Sequence, residues 1–188
     1  MTAPDPLTLL ETLTDELTRA GWTREPDPAT QPGFASATHR LLTAPDRAAQ
    51  VHATAYRHNR ALLTTLSGLD PDTGSRAPAW HAGTAALPAS VLIAAAHAAS
   101  SPPRPGVEVR LAQAGWNLAA EEYEGARLLE QRWVSPVPTR SASWFPPDLP
   151  FDTGGWIITR PDQQDGRAQL DICADTPYAV TAALALAD

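Results

Sequence analysis

The sequence predicts an α+β fold made of two tandem units, each a helix, a four-strand antiparallel meander and a closing helix, with the helices packed on one face of the sheets. Three observations predict it. Strand-like runs follow one another with only short turns between them, which favours antiparallel neighbours. The last run alternates cleanly: Ala168, Leu170, Ile172 and Ala174 point inward, while Gln169, Asp171, Cys173 and Asp175 point outward. Such a sheet has one wet face and needs helices only on the other. The order of features in residues 1–100 also recurs in residues 101–188, which sets the two expected units.

The first helix runs from about Pro6 to Ala20. Asp5 is a good N-cap, Pro6 suits the first turn, and Leu7, Leu10, Leu13 or Thr14, and Leu17 form one apolar stripe. Gly21 stops it and Trp22 follows, then a Pro-rich loop from Glu25 to Gly33. Strands are expected at His39–Thr43, Gln50–Tyr56, Ala61–Leu66 and around Trp80, in Ala79–Thr84. The second strand puts Val51, Ala53 and Ala55 on one face and His52, Thr54 and Tyr56 on the other. A helix from Pro88 to about Ala99 closes the unit, and Ser100–Gly106 reads as a linker.

The pattern then restarts. A short helix around Pro105 to Ala114 ends in Ala114-Gly115-Trp116, echoing Ala20-Gly21-Trp22. Arg127-Leu128-Leu129 echoes Arg40-Leu41-Leu42, Ser135-Pro136 echoes Ala44-Pro45, Ile157-Ile158-Thr159 echoes Leu62-Leu63-Thr64, and Thr176-Pro177 echoes Leu87-Pro88. The five echoes keep one order, at offsets between 87 and 95 residues, as an internal duplication requires.

A turn at Ala44-Pro45-Asp46-Arg47 and again at Ser135-Pro136, an apolar strand after each, and a short strand leading into Thr176-Pro177 or Leu87-Pro88 and an Ala-rich helix together resemble the SPDY domain. That family is found mostly in actinobacteria, often as tandem pairs, and the resemblance covers about two thirds of the chain. Ala44, Val137 and Leu87 replace the family's Ser, Asp and Thr, and the second unit has no counterpart of Trp80. The resemblance implies a fold and no activity, cofactor or ligand.

Composition narrows the function. Apolar residues at 43% and charged residues at 19% describe a globular protein rather than a disordered one. A net charge of −7 argues against a surface that coats nucleic acid. Cys173 is the only cysteine, so an intrachain disulfide and Cys-based zinc clusters are excluded. The chain shows no phosphate-binding glycine loop, no HExxH and no GxSxG. No signal peptide or membrane span is read, so the expected location is the cytoplasm, with no membrane partner.

Each candidate for chemistry has a bland counterpart. His39, His52, His58, His81 and His97 lack carboxylates at ligand spacing, so no metal site and no cofactor are expected. Cys173 lies between Asp171 and Asp175 on one strand face, where negative charge raises a thiol pKa, so no catalytic residue is assigned. Arg40, Arg47, Arg57 and Arg60, interleaved with Tyr56 and His58, read either as a phosphate-binding patch or as charges guarding a strand edge. Trp133, Trp144, Phe145, Phe151 and Trp156 crowd one proline-rich stretch, as a core and its lid or as a binding surface with Trp144 and Phe145 as anchors. The expectation is a non-enzymatic binding module for a protein or small molecule. A nucleic-acid-associated protein using the arginines of residues 40–60 is the alternative, and a carboxylate-based hydrolase comes third.

Overall fold

The computed structural model describes residues 5–26, 37–56, 58, 61–68, 80–83, 87–99, 106–137, 139–147, 154–161 and 168–187. In chain order the elements are α1 (Pro6–Arg19), β1 (Thr23–Arg24), β2 (Ala37–Thr43), β3 (Ala49–Tyr56), β4 (Ala61–Gly68), β5 (Trp80–Ala82), α2 (Ala89–Ala99), α3 (Val107–Gln113), β6 (Asn117–Glu124), β7 (Arg127–Val134), β8 (Ser141–Phe145), β9 (Gly155–Arg160), β10 (Ala168–Cys173) and α4 (Tyr178–Leu186). Arg57 and Arg60 of the expected phosphate-binding patch lie outside the described residues, as do residues 27–36 and Phe151.

α1 starts where its cap chemistry dictates: the Asp5 carboxylate accepts from the Thr8 backbone N–H at 3.3 Å, and Pro6 occupies the first turn. Its buried stripe is Pro6, Leu10, Leu13 and Leu17. α1 and α3 end in the same way. Trp22 N donates to Leu17 O and Trp116 N to Leu111 O, with Gly21 (φ 91°) and Gly115 (φ 81°) supplying the left-handed residue that this stop requires.

The strands form one antiparallel sheet in the order β1-β2-β3-β4-β5-β10-β9-β8-β7-β6. The expectation of two separate four-strand units is therefore wrong on two counts. Each half of the chain contributes five strands, because the short β1 follows Trp22 and the long β6 follows Trp116. The halves also share a single sheet, joined where β5 and β10 pair antiparallel with Ile172 opposite Ala82. The physical reason is that β5 and β10 would otherwise be exposed sheet edges, and joining them removes both. The helices make the same point. α2 and α4 carry no Asp, Glu, Lys or Arg, and they pack against each other behind that seam. Helices apolar on nearly every side need cover, and each supplies it for the other.

Alternation decides the faces. Ala49, Val51, Ala53 and Ala55 of β3, Leu62, Thr64 and Leu66 of β4, Trp156, Ile158 and Arg160 of β9, and Leu170 and Ile172 of β10 are buried on the helix side. Arg160, 3% exposed, crosses from the sheet to the helix layer, donating from Nη1 to Leu184 O (2.8 Å) and from Nη2 to Ala187 O (2.9 Å). Arg140 reaches Leu186 O and Ala187 O. Two guanidinium groups thus satisfy the carbonyls that the end of α4 leaves without helical partners. No helix among the described residues is long and apolar enough to cross a membrane.

Candidate functional site

No described helix lies on the other face of the sheet. Successive registers set one row of residues across it: Phe145, Gly155, Cys173, His81, Ser67, Gln50 and Thr43. The row is notched at Gly155. A Cβ there would fall 2.6 Å from the carbonyl oxygen of Ile172, so the backbones of β9 and β10 approach too closely for any side chain. The notch opens into a cleft of about 350 Å³ lined by His81, Phe145, Gly154, Gly155, Ile157, Asp171 and Cys173, with Trp156 and Ile172 at its base. It lies at the seam, so β5 of the first half and β8, β9 and β10 of the second all contribute walls.

The polar groups of the cleft are placed by β-sheet geometry. Asp171 and Cys173 are two apart on β10 and share a face; His81 sits on β5 in the position across from Cys173. Asp171 and His81 are exposed, and Phe145, Ile157 and Cys173 are half-buried. The thiol is engaged. Cys173 Sγ accepts from the His81 backbone N–H at 3.4 Å and lies 3.3 Å from Thr176 Oγ1, whose hydroxyl donates to His81 O at 3.1 Å. Two side chains at the end of β10 thus continue the β5–β10 seam beyond its single residue pair, by bonding both backbone polar groups of His81. This corrects the expectation that Cys173 is a largely exposed strand residue: it is half-buried, and its sulfur is hydrogen-bonded across the seam.

The cleft offers a carboxylate, an imidazole and two apolar walls. The described residues hold no group of three or more His, Cys, Asp or Glu spaced to bind a metal ion. The thiol's hydrogen-bond partners are a backbone N–H and a hydroxyl.

The residues singled out from sequence are dispersed. Phe145 lines the cleft, whereas Trp144, next in the chain, points to the helix side and packs against Trp156 with ring centroids 5.5 Å apart. Arg40 is on the helix side of β2, half-buried, its Nη1 donating to His39 O. Arg47 is exposed in the β2–β3 turn at φ 60°, beside Thr23, Glu25 and Gln50. Tyr56 is at the opposite end of β3, about 23 Å away for an eight-residue strand. There it meets His58 edge-on, with centroids 5.8 Å apart. The structure thus brings Tyr56 and His58 together and places Arg40 and Arg47 elsewhere.

Sequence reasoning missed the partnership of His81 with Cys173, which lies 92 residues away in the chain, and no local signal marks it. It also missed a pair on the open face, where the rings of His39 and His52 stack at 5.5 Å and 26° and His39 Nδ1 lies 3.1 Å from Thr54 Oγ1. Compared with known protein families, curated proteins and solved structures, the chain matches none of them.

Proposed function

We propose that the protein is a non-enzymatic binding module and that its ligand sits in the seam cleft of the open sheet face. The observation that carries this reading is the notch at Gly155, a vacancy that strand packing imposes and that residues from both halves surround. A volume of about 350 Å³ accepts a small molecule or one long side chain of a partner protein. Phe145 and Ile157 suit a flat apolar body, and Asp171 suits a cationic or hydrogen-bond-donating head. His81 is the second polar contact. The SPDY resemblance carries no ligand of its own, so the ligand class rests on these side chains.

The test is a titration, followed by calorimetry and by the amide resonances of β9 and β10, with arylalkyl amines and guanidines and their neutral isosteres. The cationic compounds should bind in preference, and Asp171→Asn should abolish that preference while Phe145→Ala weakens every compound. Equal binding of the neutral isosteres, or an undiminished preference in Asp171→Asn, would show that the cleft is not the site.

A further inference from the structure

The two ends of the sheet are built differently. At one end β1 is two residues long. At the other, β6 is eight residues long, every one of them exposed, and among the described residues it pairs only with β7. β8 pairs with Gln131–Val134 alone, so among the described residues Arg127–Glu130 have β6 as their only strand neighbour. The outer part of the β6–β7 hairpin therefore projects as a two-stranded ribbon. Along its outer side, β6 presents backbone N–H and C=O groups with no strand of the described residues beside them.

The side chains along that strand are not neutral. Glu121, Glu122 and Glu124 lie on β6 and Glu130 on β7, against Arg127 and Arg132 of β7, so the hairpin carries more acidic than basic side chains. Leu118 (42% exposed) and Tyr123 (53% exposed) supply apolar contact at the two ends of the same strand. Antiparallel pairing of β6 with a second copy of itself would gather six glutamates in one pair of strands, which like-charge repulsion opposes. A strand carrying Lys or Arg meets the opposite condition: its backbone completes the ladder and its cations meet the carboxylates.

We propose that β6 is a docking edge for an extended basic segment of a partner protein, which joins the sheet as an eleventh strand. The glutamates then have two effects, keeping the edge from pairing with itself and selecting the partner's charge. The site is separate from the seam cleft, with β7 lying between β6 and β8, the outermost strand of the cleft, so either can fail while the other stands.

The probe is a capped hexapeptide alternating Arg and Val, compared with the same peptide carrying alternate N-methyl groups and with a Glu/Val peptide. Amide hydrogen exchange of Asn117–Glu124 should slow with the Arg/Val peptide and with neither of the others. Glu122→Gln with Glu124→Gln should weaken that binding about three- to tenfold and flatten its salt dependence, with an unchanged melting temperature. Equal binding of the N-methylated peptide would exclude strand addition. Equal binding of the Glu/Val peptide, or no protection of β6 by any peptide, would overturn the proposal outright.

Discussion

At the residue scale the open face carries a proton-sensitive contact. Partial burial, and then His39 stacked against it, hold the His52 imidazole below its ordinary 6.5. The folded chain therefore binds this proton less readily than the unfolded chain does. Its contribution to stability is complete at neutral pH and is lost as pH falls through 6.5 toward the depressed folded value. The melting temperature should drop between about pH 7 and pH 5, and His52→Gln should reduce the drop. An NMR titration midpoint for His52 at or above 6.5 would contradict this. β10 gives a second comparison. Ile172→Ala should cost about 2–5 kcal/mol, since the side chain is buried on the helix side. Cys173→Ser should cost less than about 1 kcal/mol, because a hydroxyl can still accept from the His81 N–H. Urea unfolding of the two variants with coincident midpoints would be inconsistent with the face assignment. That face was readable from sequence because strand alternation is local. The neighbour across the seam was not, because nothing near Cys173 in the chain encodes His81.

At the element scale, legibility followed packing. α1 announces itself through Asp5, Pro6 and the leucines at helical spacing: Asp5 caps it, Pro6 opens the first turn, and Leu10, Leu13 and Leu17 are buried, with Leu7 half-buried against the core. β6 gave no such signal. Asn117-Leu-Ala-Ala-Glu-Glu-Tyr-Glu buries neither face, so it has no polarity alternation, and Glu and Ala are weak strand formers. Pairing with β7, interrupted by two register irregularities, holds it extended. The cleft was half-legible: Phe145 was among the candidates, whereas Gly155 attracts notice only once its register against Ile172 is known. Arg160→Met keeps much of the buried volume but removes the donors to Leu184 O and Ala187 O. It should destabilise the fold by about 1–3 kcal/mol and speed hydrogen exchange toward the C-terminal end of α4. Wild-type exchange in this variant would show that the guanidinium does not cap the helix.

At the scale of the whole molecule the duplicated order of elements does not yield two independent bodies. The structure repeats the order α-β-β-β-β-β-α in each half, one strand more than the echoes in sequence implied, but nothing in either half alone states that β5 will pair with β10 or that α2 will be covered by α4. Those contacts join segments from opposite halves of the chain, and the burial of Val91, Leu92, Val180 and Leu184 at 0% exposure goes with them. Expressed separately, residues 1–100 and 101–188 should each fail to show a cooperative thermal transition, and mixing them should restore one. A sharp melt for either half alone would mean that the shared seam is not required for folding.

The same seam imposes a delay on synthesis. Ala82 finds its strand partner only when Ile172 has been made, 90 residues later. At about 5–20 residues per second, a growing chain carries an uncovered β5 edge and an uncharged α2 for roughly 5–18 s. During that interval the first half is a client for whatever binds apolar nascent chain, and a codon that slows the ribosome between α2 and α4 lengthens its exposure to aggregation.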